Sequence, residues 1–291
     1  MNDYFGARRK SIDDHLAGLA RRAVAPSTLA LALESAIVSP GKRVRGTLLI
    51  AAGEALGARS ERLMDAACAF ELIHTCSLII DDLPALDDAT MRRGERTLHR
   101  RVGEDLAILS AMALLNESYA LIARNHSILK PRRWPLATMI ERVTEAVGWD
   151  GTIGGEAVDL HSETEKLDFA TLEYIHSRKT GALFVAAAVV GGMLANTNEA
   201  ALEALGSYAK NLGLAFQITD DILDVTASAE TLGKDVGKDQ GKLTFVKLAG
   251  VEGARELTAE LIDTSLDAIA PLGRGASHLR ELAKMVRDRG A

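Results

Sequence analysis

The sequence predicts an all-α fold, read as a single helical domain over residues 1–291. Three observations carry this. Strand formers are scarce, with aromatic residues at 4%, while Ala, Leu, Glu and Arg abound. Apolar positions recur at spacings of three and four. Only six prolines punctuate the chain, and most fall between the periodic stretches, where a missing N–H is harmless. An apolar share of 47% is ample for a packed core and excludes general disorder.

The elements follow in order. Leu63, Ala66, Ala67, Phe70, Ile73, Cys76, Ser77 and Ile80 trace one helical stripe, which Pro84 ends just after two aspartates. Ala107, Leu109, Met112, Leu115, Tyr119 and Ile122 trace a second. Gly181 to Ala195 is apolar on more than one face, so it belongs at the centre of a bundle. Asn198 to Asp224 and Ala254 to Ile269 read as further helices. Between them, Thr226 to Leu243 is the most flexible-looking segment, with Gly233, Gly237 and Gly241 among lysines and aspartates.

A net charge of −6 argues against a generic nucleic-acid binder. Cys68 and Cys76, eight residues apart on one helix, cannot pair. The start has no apolar h-region, and the longest apolar run, 15 residues, is too short for a membrane span. The expectation is a soluble, reduced, cytoplasmic protein without an integral membrane segment.

Two aspartate clusters stand out. Asp81-Asp82-Leu-Pro-Ala-Leu-Asp87-Asp88 closes an apolar helix, the wrong end for anions. Two carboxylates about 5 Å apart repel by about 3 kcal/mol at an effective dielectric near 20, so a cation is expected. Oxygen donors without His or Cys favour Mg²⁺. In Phe216-Gln217-Ile-Thr-Asp220-Asp221-Ile-Leu-Asp224, Asp220 and Asp224 share a helix face, while Asp221 points about 100° away. Either cluster alone also reads as a solvated helix end; together, each behind an apolar helix, they suggest two walls of one site.

Basic residues near acidic clusters suggest polyphosphate held through metal ions. Gly41-Lys42-Arg43-Val-Arg45 follows Pro40 and is expected to open a helix whose free N–H groups favour phosphate. The others are Arg92-Arg93, Lys179-Thr180-Gly181 and the loop holding Lys234, Lys238 and Lys242. Arg43 and Lys238 are read as ordinary surface charges. Lys179 interrupts an apolar helix and must find an anion or snorkel out.

In these residues the chain resembles the (E)-prenyl diphosphate synthases, the polyprenyl synthetase family, from about Gly41 to Lys247. The motifs are Gly-Lys-x-x-Arg at 41–45, the first aspartate-rich motif with Arg92-Arg93-Gly94, Lys179-Thr180, Phe216-Gln217-x-x-Asp-Asp-x-x-Asp and the glycine-lysine loop. Five in the family's order make a specific signal. The resemblance implies an isoprenoid-synthase-type bundle around a central cavity, acting as a homodimer on isopentenyl diphosphate and an allylic diphosphate.

It also implies roles. Asp81, Asp82, Asp87 and Asp220 would bind Mg²⁺, three ions held through diphosphate, with Asp221 and Asp224 supporting directly or through water. Lys42, Arg45, His74 and Arg93 would hold isopentenyl diphosphate, although His74 also reads as a satisfied core histidine. Arg92, Lys179, Lys234 and Lys242 would grip the allylic diphosphate, and Thr180 and Gln217 would place dipoles near the allylic cation. The C–O bond ionises, the isopentenyl double bond attacks, and a proton leaves, with no protein nucleophile required.

Cys76 and Ser77 stand where the family limits product length, Cys76 about 7.5 Å up the helix from Asp81. Farnesyl-making relatives carry a bulky aromatic at the Cys76 position, so a C20 product is favoured over C15. Gly46, where the family has proline, is expected to loosen that helix start; Ile80 and Ala89-Thr90 also depart from the pattern. The rival readings are a class I terpene cyclase, which Lys42, Arg45 and the Asp220 motif oppose, and a non-catalytic regulatory subunit, which the intact Asp81, Asp82 and Asp87 oppose.

Overall fold

The computed structural model describes residues 3–22, 25–161, 168–226 and 244–289. Over these residues the fold is helical, as expected. The helices are α1 (Tyr4–Arg22), α2 (Ser27–Ile37), α3 (Val44–Ala55), α4 (Met64–Asp81), α5 (Leu98–Val102), α6 (Glu104–Leu129) and α7 (Leu136–Val147). They continue with α8 (Thr152–His161), α9 (Phe169–His176), α10 (Ala182–Leu194), α11 (Glu199–Thr226), α12 (Phe245–Ala268) and α13 (Ser277–Arg289).

Helix α10 occupies the middle, as its all-round apolar sequence requires: every residue from Ala186 to Leu194 is buried. It packs on α3, α7 and α11. Glycines set its approach to α3. A Cβ on Gly191 would lie 2.4 Å from the Leu49 carbonyl oxygen, and one on Gly53 would lie 3.3 Å from the Gly191 oxygen. Helix α4, fully apolar along Ala66–Phe70, lies between α3 and α6.

Two features escaped the periodicity. Met91–Arg92 (β1) pairs antiparallel with Glu95–Arg96 (β2) in a minimal hairpin. Its turn, Arg93-Gly94, has φ of 55° and 81°, so both central residues are left-handed, as a tight hairpin demands. Ser177–Gly181 forms a π-turn between α9 and α10 rather than continuous α-helix. Helix α12 begins at Phe245, earlier than the sequence pattern indicated, and kinks at Gly250, where φ is 70°.

Among the described residues α6, not the 181–195 run, is long and apolar enough to cross a membrane by length and composition. Its Ala107, Ala111, Leu114, Leu121 and Ile122 face is buried in the core, whereas Ile108, Leu109 and Met112 are exposed.

Candidate active site

The acidic wall starts where α4 ends. Asp81 is its last residue and Asp82 its cap, and the following turn folds back so that the Asp87 N–H donates to the Asp81 carbonyl at 2.9 Å. Asp82 is 4% exposed and accepts from Arg92 Nε at 2.6 Å. Burial pushes its carboxyl up, and Arg92 opposes this. Asp81 is pushed up to about 7, by burial first and then by the Glu156 charge, against the pull of Lys179.

The second wall is α11. Asp220 accepts from an Arg289 guanidinium nitrogen at 2.9 Å and lies 3.9 Å from Lys42 Nζ. Both cations sit over the Phe216 ring, at 5.2 and 5.8 Å from its centroid. Asp224 is half-buried one turn on. Asp221 points inward, as its angular offset required: its oxygens accept from Gln217 Nε2 at 3.1 Å and from the Phe245 N–H at 3.2 Å. Both are already engaged with protein donors, which suits support of α11 better than direct ligation.

The basic wall differs from expectation at three points. Gly41 and Lys42 lie in the loop ahead of α3, which opens only at Val44, so they offer no helix N-terminus of their own. Arg43 is no surface charge. It is 3% exposed, caps α3 with a left-handed backbone, and its side chain donates to Asp13 at 2.7 Å and to the Ser39 carbonyl at 2.7 Å. Gly46 does not loosen the helix: its N–H donates to Glu71 at 2.8 Å, and a Cβ there would lie 3.0 Å from the Ala67 carbonyl oxygen. Proline would lose that bond, so the departure from the family residue tightens the α3–α4 contact.

Arg45 is buried, with its guanidinium 5.0 Å from the Phe184 ring centroid and its Nε without a hydrogen-bond partner among the described residues. Burial lowers its pKa to about 10, with Arg93 adding to the effect against Glu71 and Asp220. Arg93 is lowered by burial and by Arg43. One of its guanidinium nitrogens lies 3.4 Å from His74 Nε2. Burial, and then Arg45, Arg93, Arg92 and Arg43, hold the His74 imidazole well below its usual range. It is therefore neutral at pH 7 and partnered by arginine rather than by the core. Glu71, itself buried, lies 3.8 Å from Arg43 and is the protein anion that supports the charge of Arg45 and Arg93.

Lys179 and Thr180 sit on the π-turn, a geometry common at functional sites. Lys179 found its anions: Nζ is 2.5 Å from Glu156 and 2.7 Å from Asp159, both on α8. Burial opposes its charge, but the two carboxylates outweigh this and raise the ammonium above its usual value. The Thr180 hydroxyl donates to Gln217 Oε1 at 3.1 Å, which ties the π-turn to α11 and, through Gln217, to Asp221. Cys76 and Ser77 are half-buried on α4, and the Ser77 hydroxyl donates to the His74 carbonyl at 3.0 Å. Lys234 and Lys242 lie outside the described residues, as does Lys238.

The sequence reading missed Glu71, Glu156, Asp159 and Arg289. Glu71 and Glu156 are single acids within helices, and only the three-residue spacing of Glu156 and Asp159 marked a shared face. Arg289 is recruited from the far end of the chain.

The donor set suits a hard divalent cation such as Mg²⁺. It is all oxygen. Among the described residues no three His, Cys, Asp or Glu side chains converge tightly enough to hold an ion unaided. Aspartates near the ends of α4 and α11, paired in part with Arg92, Arg289 and Lys42, lie inside an all-α bundle of the isoprenoid-synthase class.

The profile of the polyprenyl synthetase family matches residues 26–270, and the chain belongs to that family. It is 39% identical to a dimethylallyltranstransferase of Fischerella ambigua (strain UTEX 1903), covering 99% of this chain and 84% of that one. It is 44% identical to a chloroplastic geranylgeranyl pyrophosphate synthase of Arabidopsis thaliana, over 81% of this chain and 67% of the relative. An apo FPP/GFPP synthase from Zymomonas mobilis superposes with a TM-score of 0.86 at 29% identity, covering 99% of this chain and 100% of that one. A Helicobacter pylori geranyltransferase, solved with magnesium and isoprenyl diphosphate, gives a TM-score of 0.82 at 27% identity, covering 99% of this chain and 97% of that one. The chain is a short-chain prenyltransferase.

Proposed function

We propose that the chain condenses isopentenyl diphosphate with allylic diphosphates up to geranylgeranyl diphosphate (C20). The observation that carries the assignment of subsites is the buried Arg45, its Nε without a hydrogen-bond partner among the described residues, together with Arg93 against His74. Burial first, and then the Glu156 charge, raises Asp81, while burial first and then neighbouring guanidinium groups lower Arg45, Arg93 and His74. The arginine wall (Lys42, Arg45, Arg93, with His74) then takes isopentenyl diphosphate directly, and the carboxylate walls take the allylic diphosphate through three Mg²⁺ ions.

Bound Mg²⁺ would supply Lewis-acid screening of the diphosphate charge. The residues do the rest. Arg92 and Lys179, with Lys234 and Lys242, receive the departing diphosphate as the C–O bond breaks. Thr180 Oγ1 and Gln217 Oε1 hold their dipoles beside the allylic cation. His74, neutral, fixes Arg93 without adding charge. The isopentenyl double bond attacks, and the diphosphate takes the proton. Apolar helices keep water from the cation.

The C20 choice rests on Cys76, a small side chain one and a half turns before Asp81. It is half-buried on α4, and its thiol is raised to about 11 by burial first and then by Asp81. With Mg²⁺, labelled isopentenyl diphosphate and each of the C5, C10 and C15 primers, the expected end product is C20. A stop at C15 overturns the chain length, and no elongation overturns the enzyme. Cys76→Phe is expected to move the main product from C20 to C15.

Residues 1–291 are read as one domain. The exposed Ile108, Leu109 and Met112 of α6 support a homodimer, with twice the chain mass in size-exclusion chromatography with light scattering as the check. The free Cys68 and Cys76 suit a reducing cytoplasm.

A further inference from the structure

Lys179 is not a loose side chain. Glu156 and Asp159, three residues apart on α8, clamp its ammonium from one side at 2.5 and 2.7 Å. Gly155 makes the clamp possible. A Cβ there would stand 2.5 Å from the Lys179 backbone nitrogen and 3.0 Å from its Cα, so any larger residue would push α8 off the π-turn. The clamp is costly to build. Glu156 Oε1 is buried without a hydrogen-bond partner among the described residues, and an unsatisfied buried carboxylate oxygen is unfavourable. Both α8 carboxylates lie within 2.7 Å of the ammonium, so its position is set from α8.

We propose that Glu156 is a positioning residue for Lys179. It holds the ammonium against α8, so that the lysine meets the departing diphosphate already in place instead of rotating in from a disordered set of rotamers. The proposal rests on the reading of Lys179 as an allylic-diphosphate ligand. A flexible four-carbon stem would otherwise surrender its freedom at the moment of ionisation, which is a cost on the barrier. The interaction matters most when charge gathers on the leaving group, so its loss is felt in kcat and little in KM.

Steady-state kinetics of Glu156→Ala, Glu156→Gln, Lys179→Ala and the double variant Glu156→Ala/Lys179→Ala test this, with both diphosphates varied at saturating Mg²⁺. Glu156→Ala is expected to lower kcat at least tenfold, toward the roughly hundredfold loss that a misplacement of about 1 Å can bring. KM for isopentenyl diphosphate should stay within about threefold. Glu156→Gln keeps an acceptor for the ammonium and is expected to recover most of the loss. In the Lys179→Ala background, Glu156→Ala should have no further effect. Full activity in Glu156→Ala, or an equal loss with and without Lys179, overturns the proposal. If Lys179→Ala itself leaves kcat and the allylic KM unchanged, the ligand reading fails and this proposal with it. A crippled Lys179→Ala beside an unaffected Glu156→Ala sinks the positioning role alone. Should Glu156→Ala fail to fold, Glu156→Ser, whose hydroxyl is too short to reach Nζ, carries the same expectations.

Discussion

Asp81→Ala and Asp220→Ala each lower turnover by at least about a thousandfold while the fold survives, and circular dichroism with single-turnover assays would check both halves of that statement. The size follows from where the charges sit. Removing one preorganised electrostatic partner from a water-excluded site costs about 10²–10³ in rate. Each aspartate here would in addition forfeit an ion shared with the substrate. Survival of the fold follows from what the carboxylates contribute without a ligand. Asp220 is half-exposed and paired to Arg289 and Lys42, an arrangement worth little net stability.

Asp81 works against the metal-free fold. Its folded pKa, about 7, lies above that of an unfolded aspartate, so the folded state prefers the protonated form. Its stabilising contribution is complete below the unfolded value and fades as pH rises through the folded one. Metal-free Asp81→Asn should therefore melt no lower than the parent at pH 8, and the pair should converge near pH 4. A variant that melts well below the parent at pH 8 would mean that Asp81 is a structural residue.

Much of this site was legible because its chemistry is concentrated in short strings. Asp81-Asp82 and Asp220-Asp221 are visible as charge where an apolar helix should continue, and Lys179 as a cation inside an apolar run. The angular argument that set Asp221 apart from Asp220 matches its buried bonds to Gln217 and Phe245. What stayed hidden depends on contacts distant in sequence. Arg43 reads as a surface charge until Asp13, thirty residues earlier, supplies its partner. Gly46 reads as a weak helix start until Glu71 and Ala67 of α4 press against it. The two-residue strands around Arg93 are too short for any alternation to register, and a π-turn changes the hydrogen-bond step without changing composition.

Gly191→Ala is expected to destabilise the protein and to slow it, through one backbone contact. The new Cβ would lie 2.4 Å from the Leu49 carbonyl oxygen, a main-chain atom that cannot rotate away. Alanine gains up to about 1 kcal/mol of helix propensity over glycine. Overpacking costs about 1–3 kcal/mol, and a backbone clash between two central helices belongs at the upper end. The net loss should lower Tm by roughly 5 °C. Gly206→Ala supplies the contrast. It too is inside a helix, α11, but its Cβ would meet only Val189 Cγ2 at 3.8 Å, an ordinary contact. There the propensity gain stands alone, and Tm should rise slightly. Activity should separate the two as well. Helix α3 carries Arg45, and α10 continues from the π-turn that carries Lys179 and Thr180. Forcing α3 from α10 moves the isopentenyl wall away from the allylic one, so Gly191→Ala should lose kcat even where it remains folded, and Gly206→Ala should not. Equal Tm and equal kcat in the two variants would show that the α3–α10 crossing does not set the spacing of the site.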